Sequence, residues 1–314
     1  HYSEVKKLSR SGFVDSEFPA NYTAFVDNVK ERKIGHYNDW NNWKTPREVF
    51  RAPVLGKYVD PNDIERGLFT SDFLVSCLAS LAERENNIKR LVEEQVYTET
   101  GFYYVRLNIN GVWRYIAVDH SIPVHKDGSI IAAHSYADDE SELWPTLIEK
   151  AYTKAYGTYE QYSRIQSREA YLRDLTGAPV RLYTAYFCNK LSSDPNLLKN
   201  IQSALENGYV VQAAPSEKLL TYGFNPNLTL SVIKADSSKR SLQFRSSFGS
   251  VDEKPRFNLS KEGTFDVSVD ETRNFINYFL VAEVHDDYST STIQARHRPG
   301  YFSSYSFRVS KDFN

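Results

Sequence analysis

The chain has 314 residues, enough for one large or two ordinary domains, and its 41% hydrophobic and 14% aromatic content can bury a sizeable core. Lys+Arg (38) and Asp+Glu (40) nearly balance, so no net field argues for nucleic acid, and no apolar run approaches the roughly 20 residues that span a bilayer. Two cysteines, Cys77 and Cys188, are too few for a disulfide framework and point to a reducing, cytoplasmic setting.

Nothing reads as a secretory signal, and a chain with no Met is expected to be an excised or processed region of a longer protein. Residues 1–50 are polar and read as an extended N-terminal segment laid across a domain surface. From Asp72, the apolar positions Phe73, Leu74, Cys77, Leu78, Leu81, Ile88 and Leu91 recur at helical spacing, which predicts one helix buried along a face. "GFYYVRLNINGVWRYIAVDHSIPV" (101–124) alternates around Asn110-Gly111 and predicts a hairpin. A second helix is predicted over 141–162, with Pro145 in its first turn.

Gly177-Ala178-Pro179 breaks the chain, and its character then changes. "VRLYTAYF" reads as a strand, and "DPNLLKNIQSALENG" as a helix capped by Asp194 and stopped at Gly208. "YVVQAAP", "LTLSVIKAD", "SLQFRSSF" and "FINYFLVAEV" are further strands. The expected class is α+β: a helix-dominated part over 51–177 and an antiparallel-sheet part over 178–284, with a cleft between them. Residues 285–314 read as a C-terminal extension or the start of a further domain.

"GVWRYIAVDHSIPVHKDGSIIAAHSYADDESELWPTLIEKAYTKAYGTYEQY" (111–162) closely resembles the protease core of the calpain family. "FVDSEFPA", "WKTPREVF", "DLTGAP" and "GTFDVSVDETRNFINYFLVAEV" match further calpain landmarks in the right order, so the resemblance spans roughly residues 12–284. It implies a papain-like fold split into two subdomains.

Calpains write the nucleophile helix as Q-G-x-L-G-D-C-W-x-L-x-A. Against that motif, "RGLFTSDFLVSC" puts Arg66 at the oxyanion glutamine, Ser71 at the aspartate, Asp72 at the cysteine and Phe73 at the tryptophan. Cys77 falls five residues on, about 140° net around the helix and on the apolar stripe, which predicts a core thiol. A carboxylate at Asp72 would be stabilised by the helix N-terminus and is a poor nucleophile towards an amide. The family's G-H-A-Y-S-V resembles "NLTLSV", with Leu228 at the histidine and Asn227 before it. Its R-N-P-W-G resembles "RSSFG", with Ser246 at the asparagine and Phe248 at the tryptophan. Leucine cannot take a proton. His134 matches a family histidine that is not the base and is expected to be structural. Arg164 and Ile165 fall near the family's substrate-side glycines and are expected to crowd the groove.

For calcium, the resemblance implies Asp63 in "DIERG" and Glu142 in "SELW", with Glu262 as the only acid in register at a second site. One weak Ca²⁺ site, or none, is expected, with no other cofactor. The expected function is non-catalytic: a binding or scaffold module with protein partners, at the cytoskeleton or membrane periphery. This last expectation follows from resemblance to the triad-lacking calpain-like proteins of kinetoplastid protozoa. The alternatives are residual cysteine protease activity through Cys77 and a regulator of an active calpain.

Overall fold

The structure is a computed structural model that describes residues 12–26, 42–56, 59–135, 141–165, 167–184, 195–246 and 255–285. Asp194, Cys188, Phe248 and the 286–314 tail lie outside the described residues.

Helix α1 (Asp72–Ala82) starts where the apolar stripe predicts, and α2 (Glu85–Lys89) follows after a break. One continuous helix was expected. The break is held by contacts from far along the chain: Glu83 takes the Arg245 guanidinium, and Arg84 donates to Leu205 O. Ile88 and Leu91 still reach the same core.

The hairpin is β1 (Phe102–Ile109) with β2 (Val112–Asp119), paired in full register from Phe102↔Asp119 to Ile109↔Val112. Asn110 (φ 54°) and Gly111 (φ 77°) both adopt the positive φ that a two-residue hairpin turn of this kind needs.

The second predicted helix is also two: α3 (Trp144–Tyr156) and α4 (Tyr159–Ser163). Gly157 turns the chain at φ 113°, and Thr158 caps α4 by accepting from Gln161 N. Helix α5 (Arg168–Thr176) was not expected, although Ser167 caps its start and Gly177 (φ 67°) ends it.

The second part is one six-stranded antiparallel sheet. Its strands are β3 (Val180–Tyr183), β4 (Val210–Pro215), β5 (Leu230–Asp236), β6 (Ser241–Arg245), β7 (Thr264–Ser268) and β8 (Ile276–Ala282). The spatial order is β7-β6-β5-β4-β8-β3. Strand β7 is an addition to the predicted set, with Phe265 and Val267 pointing into the core. Helix α6 (Pro195–Glu206) covers the sheet through Leu197, Leu198 and Ile201.

Buried apolar residues form two clusters. One gathers α1, α3, α5 and the hairpin, and the other lies on the sheet. The N-terminal segment is tied to the first, where Lys154 Nζ donates to both oxygens of Asp15 (2.9 and 2.8 Å). Where α1 meets the sheet the contact is polar and buried. Ser80 and Ser231 share a hydroxyl hydrogen bond (2.7 Å), Gln212 donates to Ser80 Oγ (2.9 Å), and Thr229 N donates to Ser76 Oγ (3.1 Å). Among the described residues no helix is long and apolar enough to cross a membrane.

Candidate functional site

The loop into α1 is built for close approach. A Cβ at Gly67 would stand 2.0 Å from Ile131 O, so only glycine fits there. Gly67 N donates to Thr70 Oγ1 (3.1 Å). The helix cap, Ser71, donates its backbone N–H to Tyr162 Oη (2.7 Å), and Tyr162 in turn donates to Glu149. Glu149 is fully buried and also accepts from Ala133 N (2.6 Å). Burial raises its pKa to about 7, against the lowering pull of these hydrogen bonds.

Asp72 opens α1, and its Oδ1 takes a hydrogen bond from Arg66 Nη1 at 2.7 Å. The two residues matched to the oxyanion and nucleophile positions are therefore joined to each other. They face a cavity of about 450 Å³, also lined by Leu68, Phe69, Phe73, Ser163 and Asn227. Among the described residues neither His nor Cys lines it. Arg164 pairs with Glu160 (2.8 Å), and Ile165 packs on the first core cluster. Neither lines this cavity.

Cys77 is buried in the first cluster, and desolvation pushes its thiol pKa far up. That is the core thiol its position on the stripe predicts. Leu228 is also buried, beside Asn227 at the cavity wall. Ser246 is buried at the end of β6, where its N–H donates to Gly263 O (3.0 Å), and it does not line the cavity. His134 bridges Ala132 O (2.9 Å) and Glu65 (3.0 Å), a structural placement.

Sequence reasoning missed Arg168. Its guanidinium lies 4.2 Å from the Phe73 ring centroid and donates to Thr229 Oγ1 (2.7 Å), Asn227 O (3.2 Å) and Tyr278 Oη (3.2 Å). One side chain thus fastens the ring after Asp72 to the residues on either side of Leu228. Its signal was its place in the first turn of α5, behind the Ser167 cap.

Of the proposed calcium ligands, Glu142 is buried and accepts from Trp144 Nε1 (2.6 Å). Asp63 is half-buried and has a partner of its own. Glu262 gives its backbone oxygen to Arg245. Among the described residues no cluster of three or more His, Cys, Asp or Glu is placed to hold a metal.

A family model described as calpain family cysteine protease matches residues 13–244. The chain belongs to the calpain family. It is 30% identical to the calpain-2 catalytic subunit of Mus musculus over 224 residues, 67% of this chain and 30% of that protein. It is 29% identical to the Homo sapiens calpain-2 catalytic subunit over 267 residues, 78% of this chain and 36% of that one. Calpain-5 of Caenorhabditis elegans is 26% identical over 231 residues, 68% of this chain and 34% of that protein. This calpain-family chain therefore spans about a third of the length of the relatives it matches.

Proposed function

We propose that this chain is a pseudoprotease: a calpain core that binds partners and does not cleave them. In this proposal residues 51–177 and 178–284 are the helical and sheet subdomains of a papain-like core, preceded by the 1–50 segment and followed by the 285–314 extension. Asp72, Leu228 and Ser246 stand at the positions of the triad, and Arg66 stands at the oxyanion donor. The Arg66–Asp72 ion pair carries this conclusion. A carboxylate paired with a guanidinium offers no nucleophilic sulfur, and the buried leucine beside the cavity offers no base.

The cavity at Asp72 suits the binding of a polypeptide segment, and the partners are proteins, with the cytoskeleton as the setting. One weak calcium site at Asp63 and Glu142 is the most that this proposal includes. The test is cleavage of casein and of calpain peptide substrates over graded Ca²⁺, beside the Cys77→Ala variant. No cleavage is expected at any calcium level. Turnover that Cys77→Ala abolishes would overturn the proposal. Co-sedimentation of the intact protein with extracted cytoskeletons tests the setting, and its recovery only in the soluble fraction would remove that part.

A further inference from the structure

A second cavity, of about 530 Å³, shares no lining residue with the one at Asp72. It opens between α2, the turn after α6 and Val284. Arg84, Lys89 and Arg90 line it, as do Asn86, Asn87 and Asn207, and among the described residues no carboxylate does.

Two of these placements bear on what the cavity can hold. Arg84 stands between the C-terminus of α1 and the start of α2. Its guanidinium is fixed there, because Nη2 donates to Leu205 O in the last turn of α6 (2.8 Å). Gly208, at φ 85°, makes room for it, since a Cβ would meet Arg84 Nη1 at 2.6 Å. No carboxylate pairs with Arg84 among the described residues. Asn87 is 6% exposed and accepts from Arg90 through Oδ1, yet its Nδ2 is buried with no hydrogen-bond partner among the described residues. A buried donor left unmade is costly, and such groups recur where a ligand completes them. Lys89 pairs with Glu85 (2.8 Å) at the surface, a weak contact that an incoming anion can displace.

We propose that this cavity binds a phosphorylated polyol, free in solution or as a lipid headgroup. Guanidinium groups match phosphate oxygens in bidentate fashion. Carboxamides both donate and accept, which suits hydroxyl groups. The volume falls in the range of small-molecule sites, roughly 300–1,000 Å³, and is far more than a bare phosphate fills. Among the lining residues Val284 is the one apolar side chain, which disfavours a phosphopeptide with its flanking side chains.

The test is calorimetric titration of the intact protein with inositol trisphosphate, inorganic phosphate and a phosphoserine peptide. Inositol trisphosphate is expected to bind at least about tenfold more tightly than the other two. Arg84→Gln and Lys89→Gln are each expected to weaken it about tenfold. Lys89→Gln removes only a surface ion pair, so its unliganded melting temperature should hold and a folding loss at Arg84 cannot mask the result. Phosphatidylcholine vesicles with and without phosphatidylinositol bisphosphate separate the sources. Sedimentation that needs the phosphoinositide and fails in Lys89→Gln assigns a headgroup, whereas binding of the soluble probe alone assigns a free metabolite. Absence of any heat with inositol trisphosphate, equal affinity in both variants, or equal or tighter binding of phosphate or phosphopeptide would overturn the proposal.

Discussion

Arg66 Nη1 stands 2.7 Å from Oδ1 of Asp72, six residues on and at the head of α1. The side chains are 52% and 21% exposed, so the pair contributes at most about 1 kcal/mol to folding. Its consequence is chemical. A cation and a helix N-terminus both favour an anion at position 72. Asp72→Cys should therefore place a thiol whose pKa is depressed, and it should react quickly with iodoacetamide at neutral pH. Adding Arg66→Gln should slow it several-fold. If the thiol introduced by Asp72→Cys reacts no faster than a free thiol, with or without Arg66, the loop does not hold the guanidinium there.

Cys77 should behave in the opposite way. It lies five residues further along α1, buried, with its thiolate disfavoured by desolvation. Native protein should leave Cys77 unlabelled until denaturant unfolds it. Cys77→Ala should cost roughly 1–2 kcal/mol in urea unfolding, a packing loss and nothing more. Rapid native labelling at Cys77, located by mass spectrometry, contradicts this placement.

The local features were legible in the sequence. Asn110-Gly111 fixes the hairpin by its own backbone preference, and the stripe from Phe73 to Leu81 fixes α1 and buries Cys77. What escaped depends on partners distant in the chain. Arg168 meets Thr229 across 61 positions, and Arg245 meets Glu83 across 162. The break between α1 and α2 carries the second of these contacts beside the bond from Arg84 to Leu205 O, and no local periodicity encodes either. Helix α5 was missed because its sequence, "REAYLRDLT", is mostly polar and presents only Tyr171, Leu172 and Leu175 to the core. The residue at the head of α1 was legible because its motif flanks it. That Arg66 would pair with Asp72, and Arg164 with Glu160, were side-chain choices outside the motif.

Arg245 gives a third prediction. It is buried and joins Glu83 at the end of α1 (2.6 Å), Asn62 Oδ1 (3.1 Å) and Glu262 O. With the Ser76–Ser80–Gln212–Ser231 contacts, it fastens the helices to the sheet. Arg245→Met should cost about 2–3 kcal/mol, because it strands Glu83, whose pKa burial already raises. Calcium should add little. A single weak site near the 10⁻⁴–10⁻³ M range is nearly empty at micromolar Ca²⁺, so the melting temperature should not move. A rise of several degrees at micromolar Ca²⁺ that Asp63→Ala removes would show that a calcium-driven closure exists.

Glu149 sets a pH dependence whose sign can be worked out. In the unfolded chain its carboxyl titrates near the usual 4.5, whereas in the fold burial raises it to about 7. Between those values the folded protein holds a proton that the unfolded chain has lost. Stability therefore falls as pH rises through that window, and the contribution is flat above it. The loss at neutral pH is on the order of 2–3 kcal/mol relative to the neutral acid. Ionisation at the upper end also places charge on the acceptor of Tyr162 and Ala133, and Tyr162 holds the loop leading to Asp72 through Ser71. Glu149→Gln keeps the size and an acceptor oxygen but cannot ionise, so it should lack this slope. Urea midpoints of both proteins at pH 5 and at pH 8 should differ by more in the parent than in Glu149→Gln. Parallel pH profiles for the two would mean that Glu149 is already ionised in the fold at the lower pH, and that its hydrogen bonds outweigh its burial.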